Sequence, residues 1–194
     1  MNRCTSLAVF GLAFVSVQQT VQSHRIPTLT PEQQAILSHM SLIDLPDGQG
    51  GVATTLRIQG VNVQIVNGTG TTSIENGLGN LIVGYNELGG PYGDDRRGSH
   101  CVAVGARNNF KSHGGLVVGT DNEVSGAFAS VTGGRHNVAS GAWSHVSGGG
   151  GAFPIGHPNR EGNLASGGYS SVAGGVAGIA SGVWSAVGGG NNND

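Results

Sequence analysis

The side chains able to do chemistry are few, and their spacing argues against most of it. Of the seven histidines, His100, His113, His136, His145 and His157 fall into no HExxH or CxxC-like spacing, so no zinc site is expected. Asp94-Asp95 offers adjacent carboxylates to a Ca²⁺ ion, but beside Arg96-Arg97 they read as self-paired. Gly68-Thr69-Gly70 lacks the third Gly and the following helix of a phosphate loop. Asn67-Gly68-Thr69 fits a glycosylation sequon, meaningful only in a eukaryotic secretory route. No nucleophile, base and orienter stand together. No catalytic residue, metal ligand or cofactor is therefore assigned. What does recur is aromatic. Phe128, Trp143, Tyr169 and Trp184 follow one another at spacings of 15, 26 and 15, and the row holds both Trp of the chain. Such a row could grip sugar rings or a matrix protein; it could equally stiffen a corner or pack against a neighbouring chain.

The elements that carry this row are repeats. Asn122 to Gly126, Asn137 to Gly141, Asn163 to Gly167 and Gly178 to Gly182 share the pattern N-x-A-S-G, with Val for Ala in the first copy and Gly for Asn in the last. Each is followed, after a short corner, by a second piece of the form S-x-V-x-G, as in Ser144 to Gly148. The step of 26 is a repeat of 15 plus an insertion of 11 within 150–162. Weaker copies begin at Asn80, Cys101 and Gly115. Each piece alternates with the period of a strand, so Asn137, Ala139 and Gly141 share one face. Two short strands per turn cannot bury their own face, whereas stacked copies can. The expected fold is all-β: a parallel β-solenoid, or β-roll, of about 15 residues per turn and a rise of about 4.8 Å. Its interior must be thin, which explains inward Gly, Ala, Asn and one Val per turn. Cys101 falls in the column of Ser144, Ser170 and Ser185 and reads as a small buried residue. The extra residue of a 15-residue turn is expected at the corner, as Arg135 between Gly134 and His136.

Composition agrees. Gly supplies 37 of 194 residues, against a usual share near ~7%. With only 6 Pro the chain is not collagen-like, and 37% hydrophobic content argues against disorder. Nine basic against 11 acidic residues leave no basic patch, so nucleic acid is not an expected partner. Residues 1–23 read as a signal peptide, with Arg3 ahead of the apolar run Leu7 to Val17. That run is short for a membrane span, and none is expected in the mature chain. Residues 24–50 read as a helical cap or linker, with Thr30 as N-cap, Pro31 in the first turn and Gln33 closing a capping box. The helix is expected to reach Met40 to Leu42. Ile26, Leu29, Ile36, Met40 and Ile43 fit one heptad frame, either a short trimeric coiled coil or a plain cap. Residues 46–51 read as a turn. Leu56, Ile58, Val61, Val63 and Ile65 alternate as strands do. The roll then occupies 51–194, clearest over 101–193, with loops near 89–98 and 150–162.

The run N-x-A-S-G-x-x-S-x-V-x-G-G resembles the head repeats of YadA-like trimeric autotransporter adhesins. The resemblance covers Cys101 to Asn193 best, and Asn80 onward more loosely. It implies a left-handed β-roll, a homotrimer and adhesion at a bacterial surface. The family's coiled-coil stalk and membrane barrel are not found here, so it extends to the head module alone. Any outer-membrane association would need another anchor. An outward apolar column, Val138, Leu164 and Ile179, is the candidate subunit interface. The functional expectation is a secreted or cell-surface structural and adhesive module, binding a matrix protein or glycan multivalently. The alternatives are a polysaccharide-acting β-solenoid enzyme, which would need longer turns and paired carboxylates in a cleft, and a non-adhesive fibre or rod.

Overall fold

The computed structural model describes residues 28–151 and 162–194. The expected signal peptide, Ile26 of the heptad frame and most of the 150–162 insertion lie outside the described residues. The chain divides into two compact units, with the boundary between Asn62 and Val63.

In the first unit, helix α1 (Pro31–Ser38) begins as expected. Gln33 N–H donates to the Thr30 hydroxyl at 3.3 Å, and Thr30 N–H donates to the Gln33 side chain at 2.9 Å. The helix stops short of the expected end. Met40 and Ile43 lie instead in strand β1 (Met40–Pro46), which pairs antiparallel with β2 (Val52–Ile58). An eight-residue helix is marginal, whereas the partner strand, rich in β-branched Val52, Thr54, Thr55 and Ile58, offers a full ladder. The expected turn closes this hairpin, with Asp47 Oδ1 accepting from Gln49 and Gly51 N–H at 2.8 and 2.9 Å. The second strand thus belongs to the first unit, and the boundary falls later than 50/51. Val61, Val63 and Ile65 form no strand.

The second unit is a parallel β-solenoid preceded in the chain by the helix and hairpin. One wall has seven strands: β3 (Leu81–Val83), β4 (Val102–Ala106), β6 (Leu116–Thr120), β8 (Ser130–Val131), β10 (His145–Val146), β12 (Ser171–Val172) and β14 (Ala186–Val187). The other has five: β5 (Asn109–Phe110), β7 (Glu123–Val124), β9 (Val138–Ala139), β11 (Leu164–Ala165) and β13 (Ile179–Ala180). Strands pair only with the equivalent strand one turn away. Ala139 with Ala165 and Val146 with Val172 are examples.

The space between the walls is as thin as the residues require. Val117, Val131, Val146 and Val172 come from the first wall, and Val124, Ala139, Ala165 and Ala180 from the second, all almost fully buried. At the corners a side-chain ladder replaces apolar packing. Asn108, Asn122, Asn137 and Asn163 are each 0% exposed. The Oδ1 of Asn137 accepts the Asn163 N–H at 3.0 Å, and its Nδ2 donates to Gly133 and Gly149 carbonyls, both at 3.1 Å. Asn122 and Asn163 repeat the pattern, so buried backbone groups that a tight corner would orphan find partners. Cys101 is buried in the serine column as expected, and burial pushes its thiol pKa up.

The longer turns differ from expectation in one place. Early turns advance by 14 residues (Val102↔Leu116↔Ser130) and later ones by 15 (Ser130↔His145). Arg135 is not the extra residue, since it bridges Thr120 one turn away. With Val117 paired to Val131, one residue lies between Val117 and Gly119 and two lie between Val131 and Gly134. The insertion therefore sits at Thr132-Gly133, on the wall side of the corner. It acts as a bulge. The five-residue strands β4 and β6 give way to two-residue strands from β8 onward.

Candidate functional site

The aromatic row is a stacked ladder on one corner of the solenoid. Ring centroids lie 6.3 Å apart for Phe128–Trp143, 4.8 Å for Trp143–Tyr169 and 4.0 Å for Tyr169–Trp184, with interplanar angles of 14°, 7° and 6°. All four side chains are exposed, from 43% for Tyr169 to 71% for Trp184. Local chain geometry puts them there. Ser144 N–H donates to Gly141 O at 3.1 Å, closing a four-residue turn with Trp143 third, and Tyr169 and Trp184 sit in matching turns. The third position needs a left-handed backbone, usually a Gly or Asn place. Here φ is +55° at Phe128, +57° at Trp143, +59° at Tyr169 and +63° at Trp184. Each costs about 1–2 kcal/mol relative to an ordinary conformation. Ring stacking returns about 0.5–1.5 kcal/mol per pair, and each N–H also continues the inter-turn ladder, as from Trp143 to Ala127 O at 2.9 Å.

The corner also explains two small residues. A Cβ on Gly141 would run into the Gly167 carbonyl oxygen of the next turn. Gly114 occupies the rung position before Phe128, where a Cβ would lie in the Phe128 ring. His113 closes the ladder instead, its ring edge-on to Phe128 at 5.0 Å and 88°. His113 Nδ1 is 2.9 Å from Glu75 Oε1, and this hydrogen bond holds the Glu75 carboxyl below its ordinary pKa.

Stacking decides what the ladder can offer. The faces of Trp143 and Tyr169 are covered by their neighbours, so solvent meets ring edges, two indole N–H groups and a phenol. A sugar ring that needs an aromatic face cannot lie on the inner rungs.

Val138, Leu164 and Ile179 do form one register column on the five-strand wall. Their exposure differs: Val138 is 4% exposed, Leu164 is half-buried and Ile179 is 40% exposed. Val138 is already covered within the chain and adds little to any outer contact. The 89–98 loop folds back against this wall, with Asn109 Nδ2 donating to Gly93 O at 2.8 Å and the Tyr92 hydroxyl to His136 O at 2.6 Å.

Several carboxylates are held in ion pairs. Arg96 pairs with Asp94 and Arg97 with Asp95, as expected of that loop. Lys111 lies 2.8 Å from Glu123. Asp121 stands out in the sequence only as a near neighbour of Glu123, though basic residues 14 positions away on either side mark an ion cluster. It is buried and takes a bidentate contact from Arg107 (2.7 and 3.0 Å) and another from Arg135 (3.1 Å). The Arg107 hydrogen bond, foremost, holds its pKa below the usual carboxylate range. Held this way, Asp121 is unsuited to general-acid work at neutral pH.

A second arrangement also escaped the sequence. Ser130 Oγ lies 2.8 Å from His145 Nδ1, and His145 Nε2 lies 3.0 Å from Ser147 Oγ. That is nucleophile-to-base distance, and the 15-residue spacing of Ser130 and His145 could have signalled it. Yet the N–H groups of Ser130, Thr132, His145 and Ser147 all donate to carbonyls of the next turn. None is left to stabilise an oxyanion there. Among the described residues no group of three or more His, Cys, Asp or Glu converges as a metal site, and no helix is long and apolar enough to cross a membrane. Asn67 of the sequon is buried, its Nδ2 donating to Ile74 O at 2.7 Å, and so withheld from modification in the folded chain.

No protein-family model, curated protein or solved structure matches the chain. The functional reading therefore rests on the geometry and on the resemblance carried by the repeat.

Proposed function

We propose that this chain is a secreted or cell-surface β-roll module, homotrimeric and adhesive, built like the heads of YadA-like adhesins. The observation that carries the reading is the exposed ladder: four aromatic rungs, at 43–71% exposure, on one edge of a solenoid. Rungs held by the fold lose little entropy on contact, and aromatic side chains dominate the energetics of many interfaces. Three copies side by side would multiply weak contacts into avidity. Because the inner rungs present edges and N–H or O–H donors, the favoured partner is an extended extracellular matrix protein. A glycan stacked face-on is the less suited ligand. The ion pairs of Asp94, Asp95, Asp121 and Glu123 and the backbone donors committed to the ladder favour a scaffold over a catalyst.

The test is binding of the purified chain to immobilised matrix proteins and to a glycan array, wild type against a Trp143→Ala/Trp184→Ala double variant. The expected result is binding to a matrix protein that falls at least about tenfold in the variant, the scale of one or more lost hot-spot aromatics. Binding that is unchanged in the variant overturns the ladder as the contact site.

A further inference from the structure

We infer that the start of the roll, from Val63 to Leu88 together with the outward face of β3, β4 and β6, is where one copy of this chain binds another. The inference rests on the self-assembly proposed above and places it on a surface other than the Val138, Leu164 and Ile179 column.

Within the second unit, exposed apolar surface is concentrated there. Ten large apolar side chains between Val63 and Leu88 are 42–95% exposed, Tyr85 most of all at 95%. From Gly89 to Asp194 the described residues include six, four of which are the ladder rungs. Strand register organises part of this surface. Leu81 and Val83 pair with Val102 and Val104, and these with Leu116 and Val118, giving a grid two columns wide on three strands. The alternate residues Ala103 and Val117 are buried, so the grid faces outward. On the next strands of the same wall the outward residues become Ser130, Thr132, His145 and Ser147. The patch thus ends where polar residues take over. Residues 63–88 carry only two charges, Glu75 and Glu87, and Glu75 is engaged by His113. Two such surfaces can meet with little like-charge repulsion.

The amount is right for a stable contact. Leaving out Ile82, which shares the inward register of Ala103 and Val117, the other nine exposed fractions amount to about 320–640 Å² at roughly 60–120 Å² of apolar surface per such side chain. A standard interface buries about 800 Å² per partner, somewhat over half of it apolar. A surface of this kind on a free chain invites aggregation. Its cover must then be present whenever the chain is made, and the chain itself meets that condition.

The deciding measurement is the solution mass of the full chain by light scattering, with three variants. Wild type is expected to be an oligomer. Leu81→Asp/Val83→Asp is expected to be a monomer with the tryptophan emission of the wild-type ladder, and Leu164→Asp/Ile179→Asp to stay oligomeric. Should the first variant fail to fold, Tyr85→Ser/Leu88→Ser, altering two exposed side chains, is expected to raise the dissociation concentration at least tenfold. Wild-type mass in whichever of these variants folds places the contact elsewhere and leaves self-assembly standing. A wild-type monomer overturns both the location and the assembly.

Discussion

Replacing Asn137 with Ala tests whether the corner ladder holds the roll together. Asn137 is fully buried and serves three turns at once: its N–H donates to Asn122 Oδ1 (2.8 Å), its Oδ1 accepts from Asn163 N–H (3.0 Å), and its Nδ2 reaches Gly133 and Gly149 carbonyls (3.1 Å each). Truncation leaves the first bond intact. It strips the acceptor from the buried Asn163 N–H and the side-chain donor from Gly133 O, while Gly149 O keeps the Arg135 N–H at 3.0 Å. One buried and one part-buried group left unsatisfied cost about 1–3 kcal/mol each, the second toward the lower end, so Asn137→Ala should lose about 2–5 kcal/mol. With a urea m-value of about 2 kcal/mol/M, the midpoint falls by about 1–2.5 M. Tryptophan emission follows the transition, since Trp143 and Trp184 both sit in the ladder. Asn137→Asp adds a sign. It keeps the acceptor for Asn163 but turns a carboxylate toward two carbonyl oxygens. Burial and repulsion raise its folded pKa, so its deficit should exceed that of alanine at neutral pH and shrink as pH falls toward about 4. A midpoint for Asn137→Ala within about 0.25 M of wild type, or an aspartate deficit that grows on acidification, refutes the ladder as a source of stability.

Gly141→Ala should cost about 3 kcal/mol or more, because the new Cβ would meet the Gly167 carbonyl and the stacked backbones cannot part without breaking the inter-turn ladder. Gly188→Ala, with no atom within 4 Å of the added Cβ, should leave the midpoint unchanged or slightly raised, and equal effects at the two sites would contradict the close-approach account. Asp121 has a folded pKa below its unfolded value, so its contribution is complete above about pH 4 and is lost as pH falls through the folded value. Asp121→Asn should therefore be less stable than wild type at neutral pH, with the gap closing in acid; a gap that stays constant to the lowest pH of an acid titration would rule out the Arg107–Asp121–Arg135 cluster as the source.

Much of the architecture is legible in the residues because a solenoid turns sequence periodicity directly into spatial register. The alignment of Phe128 with Trp143, or of Asn122 with Asn137, needs no long-range information beyond the repeat. The Thr30 capping box is likewise a local pattern that reads correctly. Misplaced features depend on competition between neighbours. Met40 and Ile43 fit a helical seam, but their pairing with Ile58 and Thr55 wins. Thr132-Gly133 and Arg135 are equally plausible places for an extra residue until Thr120↔Arg135 pairing excludes one of them. Val138 and Ile179 share a pattern position yet differ tenfold in exposure, 4% against 40%.

The repeat alone therefore settles which residues lie above one another, because a parallel stack has one register that keeps every small residue inside. It does not settle which outward columns remain open, or which way a stacked ring turns. Those depend on what folds back over each wall and on the backbone conformation at each corner. The left-handed φ at the aromatic positions and the apolar start of the seven-strand wall belong to that second class. They are properties of the packed turns, and no single turn contains them.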